Sequence, residues 1–345
     1  MPTRYRPLVS VVMPVYNGQE YLLEAVNSIL QQTYESLELI VVDDGSADQT
    51  ATILSSITDD RLIVIRNETN RGIVESLNAG MLIAKGELIA RMDADDIACK
   101  PRLSEQVTRF ESAPGLAVLG TAVYYIDSAG AQLKGPRVAP VSWSATKWRL
   151  LFGNCIHHPT VMFRRSHINL PLYDSSAPDA EDYALWLRLV NYCEIRNLPR
   201  RLVLHRRHQM SVSYLSATVQ LASAARQLSV HLRDEYDIQL SHEDCQTLLM
   251  PALWINGQSS GRSPMELADM LFAKFSLRHE ISTEDSVAIG RDRVFFALKC
   301  AFLSLQILGG KGFARRSIRS IFMSLVWLVR HPGDLLRYML PEVGR

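Results

Sequence analysis

Short apolar, largely β-branched runs alternate along the first hundred positions with segments whose apolar residues recur three and four apart. Leu8–Met13 (LVSVVM), Leu37–Val42 (LELIVV), Leu62–Arg66 and Leu88–Met92 are nearly continuous apolar runs, and each predicts a buried strand. Between them, Glu20–Gln32 places Leu22, Leu23, Val26, Ile29 and Leu30 on one helical face. A second helix, Ala47–Ile57, follows a capping Ser46, and a third, Ile73–Lys85, follows the turn Asn70-Arg71-Gly72. Strict alternation with short connectors predicts an α/β fold with a mostly parallel sheet flanked by helices on both faces. Further on, the pattern predicts a helix over Arg102–Phe110 and a strand over Leu116–Tyr125 with a turn at Asp127–Gly130. A helix over Trp148–Phe152, a strand over His157–Phe163, a helix over Glu181–Tyr192 and an extended segment over Ile195–Leu204 follow. From about Leu215 the pattern is helical throughout, which puts a boundary between 1–214 and a helical region 215–345.

Ligands of such sheets bind beyond the carboxyl ends of the strands. Here those ends carry Pro14-Val15-Tyr16-Asn17, Asp43-Asp44-Gly45-Ser46 and Asp93-Ala94-Asp95-Asp96, three polar clusters converging on one edge. Acids at i and i+2 after a buried strand can face one cleft, and oxygen ligands suit Mg²⁺ or Mn²⁺; a solvated helix-capping turn is the alternative. Asp44 can accept hydrogen bonds from a nucleoside or serve as a cap. Glu181-Asp182 opens an apolar helix, where one carboxylate beside another can act as a general base or simply favour the helix dipole. His205-Arg206-Arg207-His208 can neutralise a diphosphate or offer imidazole to a metal, or form a surface loop. His158 can touch an acceptor or fill the core.

Composition narrows the field. With 345 residues, 47% of them hydrophobic, and a net charge of +1, the chain can bury a full core and gives no reason to expect nucleic-acid binding. Five scattered cysteines without a Cys-x-x-Cys pair argue against a zinc site or a disulfide framework and for a reducing, cytoplasmic setting. The short polar start has no signal-peptide character. No stretch offers a clean membrane span: Val294–Leu308 is interrupted by Lys299 and Ile318–Val329 by Arg319. From Arg291 onward basic residues dominate and alternate with Phe295, Phe296, Phe302, Leu303, Ile321, Phe322, Leu325 and Trp327, a pattern that suits an anionic membrane surface or a helical cap on the first domain.

The segments VSVVMPVYNGQEYLLEAVNSILQQTYESLELIVVDDGSADQT, NRGIVESLNAGMLIAKGELIARMDADD, HPTVMFRRS and EDYALWLRL occur in order over residues 7 to 213. Together they resemble inverting family 2 glycosyltransferases of the GT-A, Rossmann-like fold, as found in bacterial surface-polysaccharide assembly. The resemblance implies transfer of one sugar from a nucleoside-diphosphate sugar, UDP-linked by expectation, to an acceptor hydroxyl of a glycan or lipid-linked glycan. It implies that Pro14, Tyr16, Asn17, Asp44, Arg71 and Asp93 bind the nucleotide, Asp44 at the uracil and Asp93 at the ribose. It further implies that Asp95 binds Mn²⁺ or Mg²⁺, with His208 and Ser211 in a late loop over the diphosphate and metal. Arg206 falls to the diphosphate, and Asp182, beside Glu181, to the catalytic base. His205 departs from the pattern, standing where an aromatic residue is expected. A nucleotidyltransferase is the rival on the same fold, but Pro14–Gly18 lacks the lysine that a triphosphate loop carries. A non-catalytic nucleotide-sugar binding module is the rival of another class.

Overall fold

The computed structural model describes residues 6–136, 138–177, 179–208, 217–256, 258–259, 261–308 and 315–334. The chain divides into two compact units, Met1–Trp143 with Cys155–Ser216, and Ser144–Asn154 with Ala217–Arg345. Residues 144–154, which the sequence reading groups with the first domain, thus belong with the C-terminal helices.

The first unit is built on a nine-stranded mixed sheet with flanking helices. Its strands are β1 (Val9–Val15), β2 (Leu37–Asp43), β3 (Leu62–Arg66), β4 (Leu88–Arg91), β5 (Ile97–Ala98), β6 (Leu116–Ile126), β7 (Gln132–Leu133), β8 (Met162–Arg164) and β9 (Glu194–Arg206). They run in the order β3-β2-β1-β4-β8-β6-β9-β5, with β7 hairpinned onto β6. β3, β2, β1 and β4 are mutually parallel. β8 enters antiparallel between β4 and β6, and β6 pairs with β9 in parallel. The apolar runs of the four parallel strands are readable from sequence, as are β6 and β9. The strand expected over His157–Phe163 is shorter than its run and forms at its end, as β8, after a 3-10 turn at His158–Thr160.

The helices of this unit are α1 (Leu22–Leu30), α2 (Thr50–Ser55), α3 (Ile73–Ile83), α4 (Arg102–Ser112) and α6 (Glu181–Leu189), while α5 (Trp143–Leu150) begins in it and continues into the second. α1 buries Leu22, Ala25, Val26 and Ile29, and α4 buries Leu103, Val107 and Phe110, against the apolar faces of β1, β2, β4 and β6. Burying a side chain of this size stabilises the fold by about 1.5–3 kcal/mol.

Because β1 is flanked by β2 on one side and β4 on the other, the chain reverses its winding there, and a crevice opens at the carboxyl edge. Pro14 helps open it. Val12 O accepts from Met92 N on the β4 side, so Pro14, two residues on, faces the same side beyond the end of the β1–β4 pairing at Arg91. Its missing N–H therefore costs no ladder bond.

The second unit is helical: α7 (Ala217–Tyr236), α8 (His242–Leu249), α9 (Ala252–Ile255), α10 (Pro264–Arg278), α11 (Thr283–Leu308) and α12 (Arg315–Arg330). Ser263 opens α10 with a capping box closed by Glu266, and Pro264 takes the first helical turn, where a missing N–H is harmless. Trp148 packs against Phe152, Phe272 and Phe275. Arg293 lies across the rings of Phe272 and Trp327 and pairs with Asp334. Among the described residues no helix is long and apolar enough to cross a membrane.

Candidate active site

The loops after β1 and β2 are stitched to each other. Asn17 N donates to Ser46 Oγ at 2.9 Å, Ala47 N to Asn17 Oδ1 at 3.0 Å, and Gly18 N to Thr50 Oγ1 at 2.9 Å. Asn17 sits at φ 51°, a left-handed conformation that asparagine tolerates. Gly45, at φ 73°, runs so close to Thr69 that a Cβ would lie 2.6 Å from its carbonyl carbon. Asp43 accepts from Ser46 N and faces Arg66, which makes it a framework residue. Asp44 is buried. Its Oδ1 accepts from Asn67 Nδ2 (2.7 Å) and Arg71 N (2.9 Å), and its Oδ2 from Gly72 N (2.8 Å). A carboxylate has about four acceptor positions, so Asp44 keeps one for a ligand. Tyr16 and the Arg71 side chain are exposed beside it.

The third cluster rests on two buried guanidinium groups. Arg91, the last residue of β4, forms a two-pronged ion pair with Asp93. Arg102 lies fully buried and donates to Arg91 O (2.6 Å), Met92 Sδ (3.0 Å) and Gln106 Oε1 (3.2 Å). Gln106 in turn donates to the carbonyls of Leu119 and Thr160, both at 2.9 Å, tying the end of β4 to β6 and the 3-10 turn. Burial, and then Arg91, push Arg102 down to about 9. Two cations beneath three carboxylates make the loop's charge density tolerable.

Asp96 is wholly buried, with Oδ2 2.8 Å from His205 Nδ1 and Oδ1 accepting from Arg206 N at 2.8 Å. Burial alone would lower the pKa of His205, but Asp96, by charge and hydrogen bond, together with Asp93 and Asp95, raises it instead. Asp95 is more open. Its Oδ2 lies 3.0 Å from His208 Nε2, and burial, then Asp93 and Asp96, push its pKa up to about 6. Asp93, Asp96 and His205 place donor atoms within 4.8 Å of one another. Asp96, however, has both oxygens engaged and no exposure, and Asp93 is committed to Arg91. Asp95 with His208 is the pair whose atoms a divalent cation could reach with least rearrangement.

Glu181 and Asp182 form the first turn of α6, which starts at Ala180 without a side-chain cap. Burial, and then Asp182, push Glu181 up to about 7, and Arg91 and Asp93 also act on it electrostatically. The first turn of α6 therefore sits beside the acidic loop. Asp182 Oδ1 accepts from Tyr183 N at 2.6 Å.

Two of the candidate residues are buried and bonded within the protein. Arg206 is a strut. It donates to Asp95 O, Asp127 O, Ser128 O and Glu24, and lies against the Tyr21 ring, so four of its five N–H groups are engaged within the protein. Arg207, next in the chain, is exposed over the ring of Tyr125 instead. His158 is packed in the core. Its Nε2 lies 2.7 Å from the Tyr173 hydroxyl, its ring meets Trp186, and burial holds its pKa well below 6.5. Ser211 lies outside the described residues. The sequence reading missed Arg91 and Asn67. Arg91 had a signal, a lone charge closing an otherwise apolar buried strand; Asn67 had none.

Residues 10–168 match the family described as glycosyl transferase family 2. An uncharacterised glycosyltransferase of Haemophilus influenzae is 33% identical over 183 residues, covering 52% of this chain and 71% of that one. The chain belongs to glycosyl transferase family 2. A second uncharacterised glycosyltransferase of Haemophilus influenzae is 35% identical over 215 residues, 59% of this family 2 chain and 66% of the relative. The putative glycosyltransferase EpsE of Bacillus subtilis is 36% identical over 189 residues, 53% and 66% respectively. The chain thus spans 66% of the length of each of these two relatives. Among solved structures, S. aureus TarS 1–349 in complex with UDP-GlcNAc superposes with a TM-score of 0.56 at 18% identity, covering 96% of this chain and 89% of that one. The mannosyltransferase PcManGT of Pyrobaculum calidifontis, in complex with GDP-Man and Mn²⁺, gives 0.52 at 17%, covering 96% and 88%. At these identities the likeness is one of fold, and the fold is that of GT-A glycosyltransferases.

Proposed function

We propose that this family 2 protein transfers a single sugar from a UDP-sugar to a hydroxyl of a polysaccharide or lipid-linked glycan, inverting the anomeric centre, with Mn²⁺ or Mg²⁺ as cofactor. The observation that carries this reading is the meeting, at one sheet edge, of Asp44, the Asp93–Asp96 loop and the Glu181-Asp182 turn. Asp44, oriented by Asn67, Arg71 N and Gly72 N, takes the nucleobase, with Pro14, Tyr16, Asn17 and Arg71 around the nucleotide. Asp93, fixed by Arg91, faces the ribose. Asp95 and His208 would hold the metal, their oxygen and imidazole donors suiting Mn²⁺ or Mg²⁺. When bound, the cation offsets the charge that develops on the departing diphosphate.

Asp182 accepts the proton of the acceptor hydroxyl as its oxygen bonds to the anomeric carbon and the carbon–diphosphate oxygen bond breaks. One displacement inverts the centre. Glu181, with its pKa near neutrality, carries a proton for part of the population and so relieves repulsion on the Asp182 carboxylate. The solved neighbours bound to UDP-GlcNAc or to GDP-Man with Mn²⁺ support a nucleotide-sugar donor and a divalent cation. A lipid-linked acceptor would set the reaction in the cytoplasm, at the inner face of the membrane. The test is release of UDP from a panel of UDP-sugars, with and without Mn²⁺. Metal-dependent release from at least one donor is expected. No release from any UDP- or GDP-sugar in the presence of Mn²⁺ and acceptor extracts would refute the reading.

A further inference from the structure

The second unit carries an unusual outer surface. α11 exposes Phe295, Leu298 and Phe302, and α12 exposes Phe322, Leu325 and Val329. Each trio has the spacing i, i+3, i+7, which lines one helical stripe. These are well-exposed side chains: Phe302 is 60% exposed, Phe322 63% and Val329 80%. The opposite stripes are the ones that pack, through Val294, Ala297, Cys300 and Trp327. The structure thereby corrects the sequence pattern, since Phe296 and Trp327 point inward while Leu298 and Val329 face out.

Charge selects the occupant. Over α11 and α12 the sequence has seven lysines and arginines against three acids, Glu284, Asp285 and Asp292. Asp292 is engaged by Arg149, whose Nε donates to it at 2.7 Å. The next acid, Asp334, accepts from Arg293 at 2.7 Å. Lys299 on α11 and Arg330 on α12 are exposed, and the α12 sequence adds Arg315, Arg316 and Arg319. The formal charge of the two helices together is therefore positive, and the excess lies in the α12 sequence. Two copies of such a surface repel each other, so self-association is disfavoured. An apolar stripe among basic residues, on helices that cannot span a bilayer, matches an interfacial, anionic lipid surface.

We infer that the outer stripes of α11 and α12 dock the protein on an anionic lipid bilayer. This rests on, and deepens, the reading of a lipid-linked acceptor, because a docked enzyme meets an acceptor confined to the membrane plane. The experiment is flotation of the full chain with vesicles of phosphatidylglycerol and phosphatidylcholine, against phosphatidylcholine alone. Binding to anionic vesicles should exceed binding to neutral ones by about tenfold and weaken with added salt. The triple variant Phe322→Ser/Leu325→Ser/Val329→Ser should lose it. The double variant Lys299→Glu/Arg330→Glu, whose changes lie on exposed positions, should lose it too and guards against misfolding of the first. UDP release is measured on the same preparations, so that failure to dock and failure of sugar transfer are read separately. Absence of binding to anionic vesicles, undiminished binding by both variants, or a dimer in gel filtration that the triple variant dissociates would overturn the inference.

Discussion

Glu181 is the group whose titration should be most visible. Its pKa is raised from 4.5 to about 7, by burial and then by Asp182. A raised acid pKa means that the fold prefers the protonated form. The stability this contributes is complete below pH 4.5 and is lost as pH climbs through 7. A shift of this size, at about 1.4 kcal/mol per unit, amounts to about 2.5 kcal/mol between pH 5 and pH 8. Glu181→Gln keeps the neutral shape without the ionisation. Urea unfolding of both proteins at pH 5, 6, 7 and 8, with chelator present to keep divalent cations off Asp95 and His208, should show the variant gaining on the wild type by about that amount as pH rises. The same variant should keep its turnover within a few-fold, because Asp182 is assigned the proton transfer. A stability difference that stays flat from pH 5 to pH 8 would refute the burial argument. Loss of turnover as deep as that of Asp182→Asn would move the base assignment to Glu181.

Asp182→Asn should lower turnover by about 10²–10⁴-fold while nucleotide affinity, by calorimetry, stays near wild type. Asp95→Ala should abolish the Mn²⁺-dependent part of UDP binding. Since a cation must displace the proton from Asp95, that part should weaken in the wild type as pH falls below about 6. Gly45→Ala should cost about 1–3 kcal/mol in thermal unfolding, since it forces a Cβ against Thr69 at positive φ. Arg206→Met should destabilise the acidic loop and lower metal affinity, seen as a higher Mn²⁺ concentration at half-maximal UDP release, and not as a change in salt dependence.

The parallel half of the sheet and its carboxyl-edge clusters were legible because buried parallel strands leave continuous apolar runs closed by polar turns. The same logic explains what was hidden. The strand expected over His157–Phe163 shrinks to β8 because a 3-10 turn takes His158–Thr160, and its place between β4 and β6 comes from pairing that no local pattern reports. The basic run 205–208 reads as four equivalent charges, yet pairing register sends Arg206 inward onto Glu24 and three backbone carbonyls and leaves Arg207 outside on Tyr125. His205 looked like a departure from the family pattern and is instead the partner of a buried acid, Asp96. Residues 144–154 carry ordinary amphipathic character, and only their packing against Phe272 and Phe275 assigns them to the second unit.

The central claim is that Asp44, Asp95 and Asp182 surround a single nucleotide sugar and a single cation. The most direct measurement is anomalous scattering from crystals grown with Mn²⁺ and UDP. The account predicts one manganese peak within bonding distance of the Asp95 carboxylate and the diphosphate, with the uracil against Asp44 and the Asp182 carboxylate facing the open side of the diphosphate. Manganese bound away from Asp95, or UDP lying elsewhere than the carboxyl edge of β1, β2 and β4, would contradict it.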